Sequence, residues 1–230
     1  MGVSQLEIDE ANRLFWDEIC GSAFARSLGI RDRSAESLER FDRAYFEFYP
    51  YLLRHVPIRE MWHRRVLEVG VGYGSLGQRI AEAGAFYYAL DIAATPVAMM
   101  NHRLHMVGHP ETAVQGSFLN NRFDSEMFDW LVAIGCFHHT GDMRRCIRET
   151  YRILRRGGRA VIMVYNKHSY RRWLRRKPYD YDASGKSAPV TEYFSINELL
   201  WLFARFSRVR FFKENCRDLA FPKVGGITPR

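Results

Sequence analysis

No apolar run in this chain of 230 residues approaches the ~18 that a membrane-spanning helix needs. The longest, Trp130 to Phe137, has the length of a buried strand. Cysteine is scarce: Cys20, Cys136, Cys146 and Cys216 stand far apart with no C-x-x-C pair. That spacing argues against a zinc knuckle and points to a reducing compartment. The first residues are acidic and polar rather than a basic-then-apolar leader, so a cytoplasmic setting is expected. There is no internal repeat and no low-complexity linker. Acid is missing from one region only. Between residues 141 and 177, thirteen Lys/Arg face Asp142 and Glu149 alone, a local +11 that leaves −3 elsewhere in a chain of net +8. The basicity is therefore local. With 47% hydrophobic and 26% charged residues, the rest has the balance of one globular domain with a sizeable core.

What is present is concentrated in Val66-Leu67-Glu68-Val69-Gly70-Val71-Gly72-Tyr73-Gly74-Ser75-Leu76-Gly77. A β-branched run ends at an acid, flows into closely spaced glycines and opens a helical pattern. A side chain at those glycines would hold a ligand off the backbone. The segment therefore reads as a strand, loop and helix built to lay a cofactor against main chain and a helix N-terminus. Gly72 to Gly77 also matches the dinucleotide fingerprint G-x-G-x-x-G, with Asp91 where a ribose-binding acid belongs. However, the glycine series begins at Gly70 and Glu68 precedes it. A carboxylate there repels a pyrophosphate and suits a ligand carrying an ammonium.

Alternating strand and helix patterns follow. Strands are expected at about 65–69, 86–91, 112–115, 128–134 and 160–165. Helices are expected at about 74–84, 95–107 and 142–155, the last N-capped by Asp142. Residues 4–60 read as helical, with Phe41, Tyr45, Phe48 and Leu52 forming one apolar face. Ser195-Ile196-Asn197-Glu198 has the form of a capping box opening a helix to about Arg205. Arg208 to Phe212 and Leu219 to Phe221 read as a closing pair of strands. The expected architecture is a Rossmann-like α/β three-layer sandwich: a mostly parallel seven-stranded sheet with an antiparallel C-terminal hairpin, plus N-terminal capping helices. One domain over 1–230 would comprise a helical cap (1–60), a cofactor-binding core (61–165), a lid-like insertion (166–194) and a closing helix with strands (195–230).

These motifs together resemble the class I S-adenosylmethionine-dependent methyltransferases of the small-molecule type. The resemblance covers roughly residues 60–165. It rests on Val66–Gly77, on Asp91, on Gly116-Ser117-Phe118 after the third strand, and on the fourth strand with its Gly135-Cys136-Phe137-His138-His139-Thr140 loop. It also rests on the Glu149–Arg159 helix and double-glycine turn. The resemblance implies S-adenosylmethionine as cofactor. Glu68 would help hold its amino group. Gly70, Gly72 and Gly74 would let its methionine part lie on backbone. Asp91, with Ile92 beside it, would accept from both ribose hydroxyls. Ser117 and Phe118 would meet the adenine, and the Gly135 region would offer carbonyls. Ser117 departs from the usual acid at its position.

Methyl transfer from a sulfonium needs a base only when the nucleophile carries a proton. His138 and His139 follow the fourth strand, at the sheet edge where such folds bind substrates, and are the candidate bases. The competing reading is that one braces the loop or touches the cofactor. His102, His105 and His109 share a helical spacing, but Pro110 disrupts the last, and no metal is expected. On the 142–155 helix, Met143, Ile147, Tyr151 and Leu154 read as the buried stripe, with the arginines opposite in water. Lys167, Arg171, Arg172, Arg175, Arg176 and Lys177, interleaved with Tyr165, Tyr170, Trp173, Tyr179 and Tyr181, read as a lid over an acidic or carrier-tethered acceptor. A solvated surface helix is the alternative there. The expected activity is methyl transfer to an oxygen or nitrogen of a small metabolite. An RNA methyltransferase is the main alternative, prompted by the positive segment. An NAD(P)-dependent oxidoreductase and a non-catalytic cofactor binder are weaker ones.

Overall fold

In a computed structural model, residues 3–19, 22–169 and 187–214 are described. Their helices are α1 (Gln5–Ile19), α2 (Ser22–Ser27), α3 (Ala35–Phe48), α4 (Leu52–His55), α5 (Ser75–Glu82), α6 (Ala94–Met106), α7 (Met143–Ile153) and α8 (Ile196–Leu202). Their strands are β1 (Arg65–Val69), β2 (Phe86–Asp91), β3 (Ala113–Gln115), β4 (Phe128–Ile134) and β5 (Leu154–Met163). The strands form one parallel sheet in the order β3-β2-β1-β4-β5. None of the described helices is long and apolar enough to cross a membrane.

The two-residue period of β1 divides the core. Val66 and Glu68 turn to the face covered by α5 and α6, joining Ile80, Met100, Leu104 and Trp130. Leu67 and Val69 turn to the other face, where Phe128, Leu131, Met143 and Ile147 gather under α7. The chain order reverses between β1 and β4. This switch point leaves a crevice at the carboxyl ends of the strands.

The N-terminal helices are fastened across that crevice by polar contacts. Asp17 accepts from the Thr95 amide at 2.7 Å, near the start of α6. Arg103 of α6, fully buried, donates to both oxygens of Asp42 on α3 and to Gln78 on α5. Phe41 stacks on Tyr73 of the glycine loop with ring centroids 4.0 Å apart.

Several sequence expectations need correction. The sheet has five described strands, all parallel, rather than seven with an antiparallel hairpin. Arg208 to Phe212 pairs with no strand among the described residues. Its neighbourhood is held by side chains on α4: Phe212 stacks on His55 at 4.4 Å, and Glu214 meets His55 and Arg54 at 2.7 and 3.2 Å. Leu219 to Phe221 lies outside the described residues, as do Arg171, Arg172, Arg175, Arg176, Lys177 and the aromatic residues among them. Strand β5 starts at Leu154, earlier than expected, and runs through both glycines of the turn. The buried stripe of α7 is Met143, Cys146, Ile147, Thr150 and Ile153, whereas Tyr151 is 41% exposed. Thr150 tolerates burial because its hydroxyl donates to the Cys146 carbonyl at 2.9 Å. The capping contacts do form. Asp142 accepts from the Arg145 amide, and Ser195 and Glu198 cap reciprocally.

Candidate active site

The glycine loop leaves β1 and enters α5 through three left-handed residues, with φ of +76° at Gly70, +56° at Gly72 and +81° at Gly74. Each avoids the steric cost that a Cβ pays there. Two of them also make room inside the protein. A Cβ on Gly70 would stand 2.5 Å from the Cβ of Cys136, whose Sγ donates to the Val69 carbonyl at 3.0 Å. A Cβ on Gly74 would stand 2.7 Å from Cδ of Arg103. The loop is thus pressed against the β4 turn on one side and against the cap anchor on the other. Gly74 also serves as N-cap of α5 without any side-chain cap, so the first turn of that helix presents bare amides.

Two buried carboxyl groups stand beside this loop. Glu68 accepts from the Tyr87 hydroxyl at 2.5 Å, under α5 at Gly77, where any side chain would overlap the pair. Burial pushes its carboxyl up to about 8, against the lowering effect of the Tyr87 hydrogen bond, and the Asp91 charge adds to the rise. Tyr87 is raised as well, by its own burial and by Glu68. Asp91 ends β2 with each oxygen accepting one amide: Oδ2 from Val71 and Oδ1 from Ala93, both at 2.9 Å. Burial raises it to about 6 while these amides pull it down. Asp91 therefore ties the glycine loop to β2.

A cavity opens at this edge of the sheet. Of the residues singled out from the sequence, Glu68, Gly70, Gly72, Asp91, Ile92, Ser117, Phe118, Gly135 and His139 line it. Gly74 and His138 do not. His138 is fully buried between the rings of His139 and Tyr165, each 4.1 Å away, and neither of its nitrogens has a hydrogen-bond partner among the described residues. Burial depresses its basicity strongly, with His139 adding to the effect, so it stays neutral. His139 points Nδ1 at the Val190 carbonyl at 2.7 Å. A carbonyl only accepts, so the neutral ring carries its hydrogen on Nδ1 and its lone pair on Nε2. Phe118 stacks on Phe137 at 5.0 Å. His102, His105 and His109 turn to separate partners: the Arg33 carbonyl, Glu111 and the Pro110 carbonyl.

The outer wall comes from the cap. Asp9, Asn12 and Trp16 of α1 line it, as do Tyr45 of α3 and Tyr49 just after it, while Met163 and Tyr165 close it from the end of β5. Tyr51 is buried elsewhere. Sequence reasoning missed the α1 residues, yet their spacing of three and four marks one helix face. It also missed Arg103, although that residue falls on the buried diagonal Pro96, Met99, Met100, Arg103, Leu104. A charged residue on such a diagonal requires a partner.

Residues 67–162, from β1 to β5, match the family described as a methyltransferase domain. Over 106 residues the chain is 27% identical to phosphoethanolamine N-methyltransferase 2 of Caenorhabditis elegans, covering 44% of this chain and 24% of that protein. Over 108 residues it is 25% identical to the ubiquinone biosynthesis O-methyltransferase of Pseudomonas aeruginosa, covering 46% of each. The chain therefore spans less than half the length of these curated relatives. Among solved structures, the cyclase SpnF superposes with a TM-score of 0.57 at 17% identity, over 84% of this chain and 69% of that one. That likeness is one of fold.

Proposed function

We propose that this chain, which carries a class I S-adenosylmethionine-dependent methyltransferase domain, transfers the methyl group of that cofactor to an oxygen or nitrogen of a small-molecule metabolite. The residues of the cavity fit the cofactor. Three carboxyl groups, Asp9, Glu68 and Asp91, and no Lys or Arg line it among the described residues. Glu68 is buried without a cation beside it, an arrangement that favours a ligand with an ammonium. A dinucleotide's pyrophosphate would find no Lys or Arg among the described lining residues and would stand beside these carboxyl groups.

The bare amides at the start of α5 and the backbone at Gly70 and Gly72 would hold the amino-acid end. Asp91 would take the ribose hydroxyls. Its oxygens already accept the Val71 and Ala93 amides, with the Gly72 and Ile92 amides also facing it, so the ribose hydroxyls would share its lone pairs with the backbone. Ser117 and Phe118 would border the adenine, and Gly135 the amino-acid end.

When bound, the cofactor supplies a methyl already activated on a sulfonium. The protein's part is then alignment and exclusion of water. Trp16, Tyr45 and Tyr49 wall the acceptor side and keep it dry. His139 takes the proton of a protonated acceptor on Nε2, since Nδ1 is committed to Val190. His138, away from the cavity and without a polar partner, supports the ring of His139 instead.

The observation that carries this reading is the buried Glu68–Asp91 pair beside the left-handed glycine loop. Calorimetric titration with S-adenosylhomocysteine, NADH and a short RNA tests it. One site for S-adenosylhomocysteine alone is expected. Binding of NADH or RNA with none of S-adenosylhomocysteine would overturn it. The RNA alternative loses support from the arginines on and just after α7. Arg144 lies over Trp201 at 4.5 Å, Arg152 pairs with Glu149, and Arg155 and Arg159 pair with Asp129 and Glu60. The acidic or carrier-tethered acceptor rests on Arg171 to Lys177, which lie outside the described residues. Lys167, within them, meets Glu198 at 3.0 Å.

A further inference from the structure

We infer that the acceptor end of this cavity selects a cationic amine, held by Asp9 and Asn12 of α1 against the aromatic faces of Trp16, Tyr45, Tyr49 and Tyr165. This rests on the methyltransferase reading and narrows its acceptor to a nitrogen compound bearing positive charge.

The first argument is the orientation of α1. A helix on a domain surface turns its apolar side inward. Here Asn12 is 3% exposed, while Leu6 and Leu14 are 81% and 56% exposed. Asp9, Asn12 and Trp16 recur at three and four residues, so the inward side of α1 carries polar and aromatic groups beside the buried Ile19. A local rule broken at a cavity wall marks a candidate functional position.

The second argument is an orphaned acceptor. The Asn12 Nδ2 donates to the His139 carbonyl at 2.7 Å. A carbonyl only accepts, so the amide orientation is determined. Oδ1 is thereby left buried with no donor among the described residues. An unsatisfied buried acceptor is completed by an N–H or O–H donor, which a ligand in this cavity can supply. Three residues earlier, Asp9 stands in the same lining, its Oδ1 steadied by Gln5 at 2.7 Å.

The third argument is the chemistry of the walls. Carboxylate, amide oxygen and the negative faces of aromatic rings all attract a donor or a cation. No Lys or Arg among the described residues lines the cavity to receive an anion. His139, whose ring lies 5.0 Å from Trp16, contributes a ring that is neutral when its lone pair sits on Nε2. An anionic acceptor would meet repulsion from Asp9 and no Lys or Arg among the described lining residues to neutralise it.

The test is calorimetry on protein saturated with S-adenosylhomocysteine, so that the Glu68–Asp91 end is filled. Choline and 3,3-dimethylbutanol share one shape and differ in the charge of the trimethyl head, and 3,3-dimethylbutyrate keeps the neutral head but carries an anionic carboxylate in place of the hydroxymethyl group. S-adenosylhomocysteine has no methyl to transfer, so binding is read without turnover. Choline is expected to bind roughly tenfold tighter than dimethylbutanol, with dimethylbutyrate weakest. Asp9→Asn should reduce that preference to under about threefold, and Trp16→Leu should weaken choline more than dimethylbutanol. Equal affinity for choline and dimethylbutanol in the unmodified protein, or tighter dimethylbutyrate, would overturn the inference whether or not the variants fold. A charge preference undiminished in a folded Asp9→Asn protein would also overturn it. Failure of S-adenosylhomocysteine itself to bind would instead defeat the underlying methyltransferase reading.

Discussion

Arg103 on α6 donates to Asp42 on α3 through two nitrogens, at 2.8 and 3.0 Å, and its side chain has no exposure to solvent. Its stem also occupies the space that a side chain on Gly74 would need. One ion pair thus connects the cap, the core and the glycine loop. Removing a single partner of a buried pair leaves an uncompensated charge and costs about 3–5 kcal/mol. Asp42→Ala should therefore lower the melting temperature by roughly 10 °C. It should also weaken S-adenosylhomocysteine binding, because the Phe41–Tyr73 stack loses its anchor. Replacing both residues by Leu should recover part of the stability. Scanning calorimetry of the single and double variants checks this, and an unchanged single variant would contradict it.

The Glu68 carboxyl sets a pH dependence. Unfolded, it titrates near 4.5; folded and buried, near 8. Between those values the folded chain keeps a proton that the unfolded chain has lost. The contribution is complete below pH 4.5 and disappears as pH rises through 8. Stability of the ligand-free protein should therefore fall across this window, by up to about 1.4 kcal/mol per pH unit. An ammonium-bearing ligand favours the ionised form, so S-adenosylhomocysteine affinity should move the opposite way and strengthen toward pH 8. Glu68→Gln should flatten both profiles. Thermal melts and titrations at pH 6, 7 and 8 would reveal a flat wild-type profile if this is wrong.

Gly70 carries two separate constraints, its φ of +76° and the 2.5 Å approach to Cys136. Gly70→Ala should cost about 1–2 kcal/mol from backbone alone and abolish cofactor binding by displacing the loop. The clashing atom is the Cβ of Cys136, not only its sulfur. Cys136→Gly should therefore restore part of the binding in the double variant, whereas Cys136→Ala should not. Equal rescue by both would show that the contact is not what excludes a side chain.

The adjacent histidines should separate cleanly. His138→Phe removes two unsatisfied nitrogens from a fully buried ring and should preserve transfer while raising stability by about 1 kcal/mol. His139→Ala removes the Nε2 lone pair from the cavity and should cut kcat by ~100-fold for a protonated acceptor, with little change in S-adenosylhomocysteine affinity. A loss of activity in the folded His138→Phe protein would reverse the assignment.

Much of the core was legible because its signals are local. The bounds of β1, β2 and β4 follow from β-branched runs flanked by glycine and turn residues, and the caps at Asp142 and Ser195 follow from side chains that reach only three residues. The errors arise where a distant partner decides. Tyr151 has the helical spacing of a core residue, yet Thr150 takes the interior by bonding back to Cys146. Arg208 to Phe212 alternates like a strand, but its described contacts run to α4 instead, through Phe212 on His55 and, just beyond, Glu214 on His55 and Arg54. His138 and His139 are neighbours in sequence, and only the fold makes one a wall of the cavity and the other part of the interior.

The amino-acid order alone determined the strand–loop–helix that begins at Arg65, the parallel α/β alternation and the acid at the end of β2. Each depends on backbone permissiveness or side-chain period within a few residues. Packing across the cap decided the rest: which acids lose water, which histidine borders the cavity, and that α1 turns Asp9 and Asn12 inward. Desolvation and long-range pairing depend on what lies above a residue in space, and no local pattern encodes that.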